Sequence, residues 1–212
     1  MSQTPPLLRV RGLHRRFGNL DVITDLDLDL EAGRALAITG PNGSGKSTAL
    51  RCIAGADEPT AGTIELDGAA LDERSPAVRR DLAVVMDDMS FFPDLSVVEH
   101  LDLLARAHSI EEVEEVVDAV LTDVGLLAQA GQLPGTLSSG QRRRLALATA
   151  FVRPRRLLIL DEPEQRLDAG GLAWLADRLN AEKQQGLGIL LVSHDTTLVE
   201  AVADDVLALE AR

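Results

Sequence analysis

Alternation of apolar and charged residues characterises the first part of the chain. After residue 20, leucine and aspartate alternate through Leu26, Asp27, Leu28, Asp29 and Leu30. Because successive side chains of a strand point to opposite faces of a sheet, this alternation predicts a half-exposed antiparallel strand. Further strands are predicted from apolar runs at residues 7–17, 35–39, 62–66 and 83–86. The N-terminal part is therefore expected to contain an antiparallel β subdomain.

Helical periodicity appears in the middle of the chain. Ser96 and Glu99 have the S-x-x-E spacing of a capping box, which predicts a helix that extends to about His108. Over residues 111–124, valine and leucine recur at helical spacing and acidic residues occupy most of the other positions. This pattern predicts an amphipathic helix with an acidic face. We interpret that face as a solvated surface rather than as an acidic binding patch.

Apolar runs and helical patterns alternate in the last third of the chain. Buried strands are predicted at residues 156–160 and 188–193, a last short strand at 206–209, and helices at 171–185 and 199–203. Such alternation indicates a mostly parallel sheet with helices on its faces. The sequence therefore predicts an α/β fold. Its core, with the antiparallel β part, would comprise residues 1–87 and 146–212, and a helical subdomain would be inserted at residues 88–145.

Length and composition limit the class of protein. The chain has 212 residues, 45% of them hydrophobic, which is sufficient for a single domain over residues 1–212 with a substantial core. The net charge of −13 argues against a nucleic-acid partner, since surfaces that bind nucleic acids are basic. Cys52 is the one cysteine of the chain. We interpret it as a buried structural thiol rather than a reactive one.

Membrane insertion is not expected from the sequence. Residues 1–6 are polar and lack the apolar segment of a signal peptide. The longest apolar runs, such as residues 187–192, are too short to cross a bilayer. We therefore expect a cytoplasmic protein without a disulfide framework. If it acts at a membrane, another chain would span the bilayer.

The strongest motif follows the apolar run at residues 35–39. Residues 40–48 match the P-loop pattern G-x-x-x-x-G-K-[ST], and a helix is predicted directly after them. Glycines allow backbone N–H groups to point at an anion, and the helix N-terminus adds its dipole. Lys46 would reach the β- and γ-phosphates and Ser47 would bind Mg²⁺, whereas the alternative is a glycine-rich turn that binds nothing. The predicted phosphate-binding residues are Pro41, Asn42, Gly43, Ser44, Gly45, Lys46, Ser47 and Thr48. The expected core is that of a P-loop NTPase.

Four further motifs occur in an order typical of one family of P-loop proteins. Residues 137–141, Leu-Ser-Ser-Gly-Gln, closely resemble the LSGGQ signature of ABC-type ATPases. Residues 157–162 resemble a Walker B strand followed by its catalytic glutamate. Leu167 and Asp168 resemble the end of a D-loop, and residues 193–195, Ser-His-Asp, resemble an H-loop. The resemblance to the ABC-type ATPases covers nearly the whole chain.

The resemblance implies a role for each acidic and basic group near the phosphates. Asp161 and Ser47 would bind Mg²⁺ together with phosphate and water oxygens. Glu162 would polarise the attacking water, and His194 would bind the γ-phosphate and orient that water. Without the neighbouring phosphate site, Glu162 would be interpreted as a solvated cap and His194 as a structural residue.

The resemblance also implies contacts for adenine and for a second subunit. Phe17 would stack on the adenine of ATP, with Val22 packing nearby. Ser138, Gly140 and Gln141 lie before or at the start of a predicted helix, so they would form a second anion-binding site. In the family this signature turn faces the γ-phosphate held by another subunit. We therefore expect a homodimer, or a heterodimer with another ABC ATPase subunit, that closes around ATP.

Three positions depart from the family pattern. Asp87 occupies the position of the Q-loop glutamine. Of the roles that the family gives this glutamine, we expect Asp87 to retain only a contact with Mg²⁺. The D-loop reads Glu-Gln-Arg at residues 164–166, where small residues usually occur and where bulky charges would lie at the dimer interface. Ser139 replaces a signature glycine. These departures indicate altered coupling or an asymmetric pair, or else drift without consequence.

The resemblance implies a subunit that binds and hydrolyses ATP to power transport through a separate integral membrane permease. It would be cytoplasmic and peripheral at the inner face of the cell membrane. Asp87, Asp88 and Asp94 surround the region where this family docks its permease, so basic residues are expected on the partner. The alternatives are a soluble ABC ATPase without a transport role and a weakly hydrolysing regulatory subunit of a heterodimer.

Overall fold

Nine strands form two sheets in residues 5–210, the part of the chain described in this computed structural model. The strands are β1 (Leu8–Phe17), β2 (Leu20–Leu30), β3 (Ala35–Thr39), β4 (Ala61–Leu66), β5 (Ala69–Ala70), β6 (Leu82–Val85), β7 (Leu157–Asp161), β8 (Gly188–Val192) and β9 (Asp205–Ala208). The helices are α1 (Lys46–Ile53), α2 (Pro76–Asp81), α3 (Val97–Ala107), α4 (Val113–Asp123), α5 (Ser139–Phe151), α6 (Ala169–Gln184) and α7 (Thr196–Val202). The prediction for the polar tail at residues 1–6 lies mainly outside the described residues.

The N-terminal strands form an antiparallel sheet in the order β2-β1-β4-β5. Its register opposes Leu8 to Leu30 and Val10 to Leu28. All four of these side chains are buried, and the aspartates that alternate with the leucines on β2 are exposed. The predicted half-exposed strand is therefore confirmed, because one face of β2 packs on the core and the other faces solvent.

The second sheet has five parallel strands in the order β6-β7-β8-β3-β9. Side chains from both of its faces are buried, as expected for a parallel sheet. Leu157 and Ile159 pack with α1 and the antiparallel sheet, whereas Leu158 and Leu160 pack with α3 to α7. Because parallel strands end at one edge, the segments that follow β3, β7 and β8 are brought together there.

Helices α3, α4 and α5 lie between β6 and β7, where the sequence predicts an inserted subdomain. Here α3 and α4 are followed by two short 3₁₀ turns and by α5. The capping box at the start of α3 is present, with the Ser96 amide donating to Glu99 Oε2 at 2.7 Å. Helix α5 continues past the expected boundary at residue 145 and ends at Phe151. It therefore reaches from the inserted part into the core.

The sequence did not predict α2 or β5. Helix α2 begins at Pro76 and buries none of its side chains, so it lacks the apolar stripe by which helices are recognised.

Cys52 is buried on α1, and burial raises the pKa of its thiol, in agreement with a structural role. Within residues 5–210, no helix combines the length and the apolar character needed to cross a bilayer.

Candidate active site

The loop between β3 and α1 has the backbone of a phosphate cradle. Gly40, Gly43 and Gly45 all have positive φ angles, of 141°, 81° and 92°. A Cβ atom on Gly45 would lie 2.9 Å from the carbonyl oxygen of Val22, whereas one on Gly43 would meet no atom within 4 Å. The loop is thus packed against β2 on one side and open on the other, where its N–H groups and the N-terminus of α1 can receive an anion.

Lys46 brings a buried positive charge to this loop. Its side chain donates to the carbonyl oxygens of Gly40 and Pro41, both at 2.9 Å, and the residue is 5% exposed. Both acceptors are neutral, so these bonds leave the ammonium charge uncompensated. The Ser44 hydroxyl in the same loop is buried and has no hydrogen-bond partner. A buried cation whose hydrogen-bond acceptors are all neutral favours an anionic ligand.

Ser47 and Asp161 form a pair of oxygen donors beside the loop. The Ser47 hydroxyl donates to Asp161 Oδ1 at 3.2 Å, and Asp161 is 5% exposed at the end of β7. Burial raises the pKa of Asp161, and the bond from Ser47 opposes that rise. Hydroxyl and carboxylate oxygens are ligands that suit Mg²⁺, which also retains water and phosphate oxygens. This donor set therefore fits a magnesium ion shared with a bound phosphate.

Glu162, which follows β7, lies beside His194, which comes shortly after the end of β8. Glu162 Oε1 lies 3.4 Å from His194 Nε2, and Glu162 Oε2 accepts a hydrogen bond from the Gln165 side-chain amide. Glu164 stabilises the end of β8, because its Oε1 accepts bonds from the Ser193 hydroxyl at 2.7 Å and from the His194 amide at 3.0 Å. The carboxylate and the imidazole thus lie close enough to contact the same water molecule in the cleft, a geometry suited to proton transfer.

These groups line one open cleft. The cleft is lined by Val22, Asn42, Gly43, Gly45, Lys46, Ser47, Thr48, Asp87, Asp161, Glu162, Gln165 and His194. Phe17 is not among them and stands 47% exposed at the end of β1, with the Arg15 guanidinium 4.3 Å above its ring. Pro41 and Ser44 lie in the loop but do not line the cleft. Most of the predicted P-loop, Walker B and H-loop residues therefore converge in one place.

The signature turn lies outside this cleft. Ser138 caps α5, with its hydroxyl accepting from the Gln141 amide at 3.2 Å and its own amide donating to Gln141 Oε1 at 2.9 Å. A Cβ atom on Gly140 would lie 2.9 Å from the Arg166 carbonyl oxygen. The turn therefore packs on the D-loop of its own chain and leaves Ser138 and Ser139 exposed.

Two of the departures from the family pattern contact each other. Arg166 Nη1 donates to Asp87 Oδ1 at 3.0 Å, which joins the D-loop to the segment after β6. Glu164 points at its own chain's β8 end, so its carboxylate is engaged within the subunit. Sequence reasoning missed these bonds and the contact of Gln165 with Glu162. Residues 87 and 166 are 79 positions apart, and no spacing pattern connects them.

A parallel sheet that carries this loop, with acidic and basic groups at the neighbouring strand ends, defines a P-loop nucleotide-binding protein. The sequence profile of the ABC transporter family matches residues 23–165, more than half of the chain. The chain belongs to the ABC transporter family. A solved structure described as the ATP-binding subunit of an ABC transporter superposes with a TM-score of 0.89 and 30% identity, covering 96% of this chain and 85% of the other.

Curated relatives are named as ATP-binding proteins of import or export systems. The spermidine/putrescine import ATP-binding protein PotA of Pseudomonas aeruginosa is 36% identical over 91% of this chain, which spans 53% of that relative. The aliphatic sulfonates import ATP-binding protein SsuB of Pseudomonas putida is 38% identical, with coverage of 99% and 77%. The SkfA peptide export ATP-binding protein SkfE of Bacillus subtilis is 34% identical, with coverage of 95% and 84%. The chain thus spans about half the length of PotA.

Proposed function

We propose that this chain binds and hydrolyses ATP to power transport through a separate membrane permease. The observation that carries the proposal is the cleft in which Lys46, the Ser47–Asp161 pair and the Glu162–His194 pair are brought together. Family membership and the names of the import and export relatives support the same reading. The named relatives carry different cargoes, and both import and export are represented among them.

ATP and Mg²⁺ are the proposed ligands of the cleft. The P-loop amides and Lys46 would hold the β- and γ-phosphates, and Ser47 and Asp161 would bind the metal ion. Bound Mg²⁺ would neutralise phosphate charge. Glu162 would accept a proton from the attacking water while His194 contacts the γ-phosphate. Asp87 lines the cleft and could reach the metal's water shell, although its carboxylate also binds Arg166.

A second subunit would complete each ATP site. The exposed turn at Ser138 and Ser139 begins a helix, so its free amides could receive the γ-phosphate bound by another copy. Phe17 is exposed and could stack on adenine once nucleotide is present. The partner would be an identical chain or another ABC ATPase subunit. Binding of ATP would then close the pair, and hydrolysis would remove the bridging charge.

An apolar groove beside α3 is the proposed contact for the permease. Phe92 is 62% exposed at its edge, and Met89, Phe91 and Leu103 also line it. Exposed apolar surface bordered by charged residues is typical of a protein interface. Basic residues of the permease would pair with the aspartates nearby, Asp88 and Asp94.

Steady-state ATPase measurements on the purified chain test the proposal. We expect Glu162→Gln to lower kcat about 100-fold or more, since a general base contributes roughly 10²–10⁴-fold, while ATP still binds. Lys46→Ala should abolish ATP binding itself. The matched control is Glu115→Gln on the solvated face of α4, which should leave the rate unchanged. Wild-type turnover that persists in Glu162→Gln would contradict the assignment.

One observation favours a second candidate, a weakly hydrolysing regulatory subunit. The Gln165 amide binds Glu162 Oε2, so one oxygen of the proposed base is engaged before any water arrives. In that case the wild-type chain would bind ATP but show no turnover above that of Glu162→Gln. Restored turnover in Gln165→Ala would then identify the contact as the cause.

A further inference from the structure

A buried arginine on α5 binds the backbone from which Glu162 projects. Arg143 is 3% exposed, and within residues 5–210 the acceptors of its side chain are main-chain carbonyl oxygens. The four acceptors are Met86 O at 3.1 Å, Asp161 O at 2.6 Å, Glu162 O at 2.6 Å and Pro163 O at 3.2 Å. A planar guanidinium with donors in a fixed fork is suited to holding several acceptors in one arrangement.

Glu162 has a backbone conformation that needs such support. Its φ angle is 46°, in the left-handed region that a side chain disfavours. Conformations of this kind persist only when the surrounding structure holds them. The Glu162 amide donates to Val192 O at 2.8 Å, and its carbonyl oxygen accepts from Arg143. Both polar backbone groups of Glu162 are therefore held, the amide by β8 and the carbonyl by Arg143 on α5 together with the Gln165 amide, which donates to it at 3.1 Å.

The positive charge of Arg143 also interacts with carboxylates near the cleft. Burial lowers the pKa of Arg143, and the carboxylates of Asp87 and Glu164 raise it. An arginine nevertheless stays protonated in proteins, so Arg143 places a permanent positive charge near the carboxylates of Asp87 and Glu164. Removal of that charge would leave the carboxylates of Asp87 and Glu164 without its compensating field.

We propose that Arg143 is a positioning residue for hydrolysis, which sets the Glu162 side chain through its backbone. The inference rests on the proposed ATPase function. Helix α5 begins at the signature turn, and Arg143 lies five residues after Ser138, about 7.5 Å along the helix axis. The same side chain also holds Met86 at the end of β6. A shift of α5 on contact with a second subunit would therefore move Glu162 and the segment after β6 together.

Arg143→Met tests this role, because it keeps an apolar stem and removes the fork. We expect kcat to fall about 100-fold, since small displacements of a catalytic group have effects of that size, while the Kd for ATP stays within about threefold. Arg143→Lys keeps the charge but not the fork, so kcat should be intermediate, about tenfold below wild type. An unchanged kcat in Arg143→Met would overturn the proposal.

The matched control is Arg155→Met, a second buried guanidinium far from the cleft. Arg155 donates to the carbonyl oxygens of Ala150, Phe151 and Arg153 and to Glu182. Its replacement removes a comparable set of bonds and should leave kcat per folded molecule unchanged. An equal loss of kcat in both variants would show that Arg143 only stabilises the fold, and it would overturn the proposal. If Arg143→Met does not fold, Arg143→Lys is compared with Arg155→Lys in the same way.

Hydrogen–deuterium exchange of the nucleotide-free protein provides a readout that does not depend on turnover. Amides of residues 161, 162 and 164–166 should exchange about tenfold faster in Arg143→Met and at the wild-type rate in Arg155→Met. Equal exchange in wild type and Arg143→Met would overturn the proposal. A wild-type chain without Glu162-dependent turnover would instead refute the proposed function, and the exchange result would still decide whether Arg143 holds this backbone.

Discussion

Several charged side chains around the cleft have their partners within the same subunit. Glu164 Oε1 binds Ser193 and the His194 amide, and Arg166 binds Asp87. From the sequence, the D-loop charges were expected at a dimer interface, where they would face another chain. Their contacts give them a role inside the subunit, which is to connect the D-loop with the ends of β8 and β6. What else they contact in a dimer stays a prediction.

A double-mutant cycle measures the Asp87–Arg166 contact. Both side chains are substantially exposed, so we expect a coupling of only about 0.2–1 kcal/mol in the free energy of urea unfolding. Asp87→Ala, Arg166→Ala and the double variant supply the cycle. Asp88→Ala combined with Arg166→Ala is the control and should be additive. A coupling of zero between residues 87 and 166 would mean that the bond does not persist in solution.

Element boundaries follow local chemistry that can be read from the sequence. The S-x-x-E spacing predicted the start of α3, and the capping box is present there. The apolar runs predicted β3, β7 and β8 to within one residue at each end. In contrast, α2 was missed because its side chains are all at least partly exposed and show no periodic burial. Local signals thus identify elements that pack on the core and fail for a short surface helix.

Ser96→Ala tests the cap of α3. The Ser96 hydroxyl accepts from the Glu99 amide and donates to Glu99 Oε2 at 2.6 Å, so we expect a loss of about 1 kcal/mol and a fall in Tm of roughly 2–4 °C at pH 7. Ser75→Ala is the control, because Ser75 also precedes a helix but makes no cap hydrogen bond. A similar fall in both variants would argue against the cap.

The same cap should depend on pH. Hydrogen bonds from the Ser96 hydroxyl and amide lower the pKa of Glu99. A carboxyl whose pKa is lowered by folding stabilises the protein above its unfolded pKa of about 4.3, and this contribution is lost as the pH falls through the folded-state pKa. The difference in Tm between wild type and Ser96→Ala should therefore be smaller at pH 3 than at pH 7.

At the scale of the whole molecule, the parallel sheet brings distant segments to one edge. Residues after β3, β7 and β8 meet there and form the cleft, while the signature turn lies on a separate surface of the chain. The P-loop and the exposed N-terminus of α5 therefore line different surfaces of one chain. Two copies arranged head to tail would bring these two halves together.

Sedimentation velocity tests this pairing. Glu162→Gln should bind ATP and Mg²⁺ without turnover and form a species of twice the monomer mass, because both halves hold the nucleotide. Lys46→Ala with Glu162→Gln should remain a monomer. Ser139→Glu with Glu162→Gln should also remain a monomer, since the new charge would face the γ-phosphate from an exposed position. Nucleotide-loaded Glu162→Gln that sediments only as a monomer would contradict the arrangement.

The sequence by itself determined the strands other than β5, the main helices and most of the residues that line the cleft. These features depend on periodic burial and on motifs whose residues are adjacent in the chain. Tertiary structure alone decided that Arg166 binds Asp87 and that Arg143 holds the Glu162 backbone. The physical reason is that these partners are far apart in sequence. The acceptors of Arg143 are also main-chain carbonyls, which every residue possesses, so no residue type reveals them before the chain is folded.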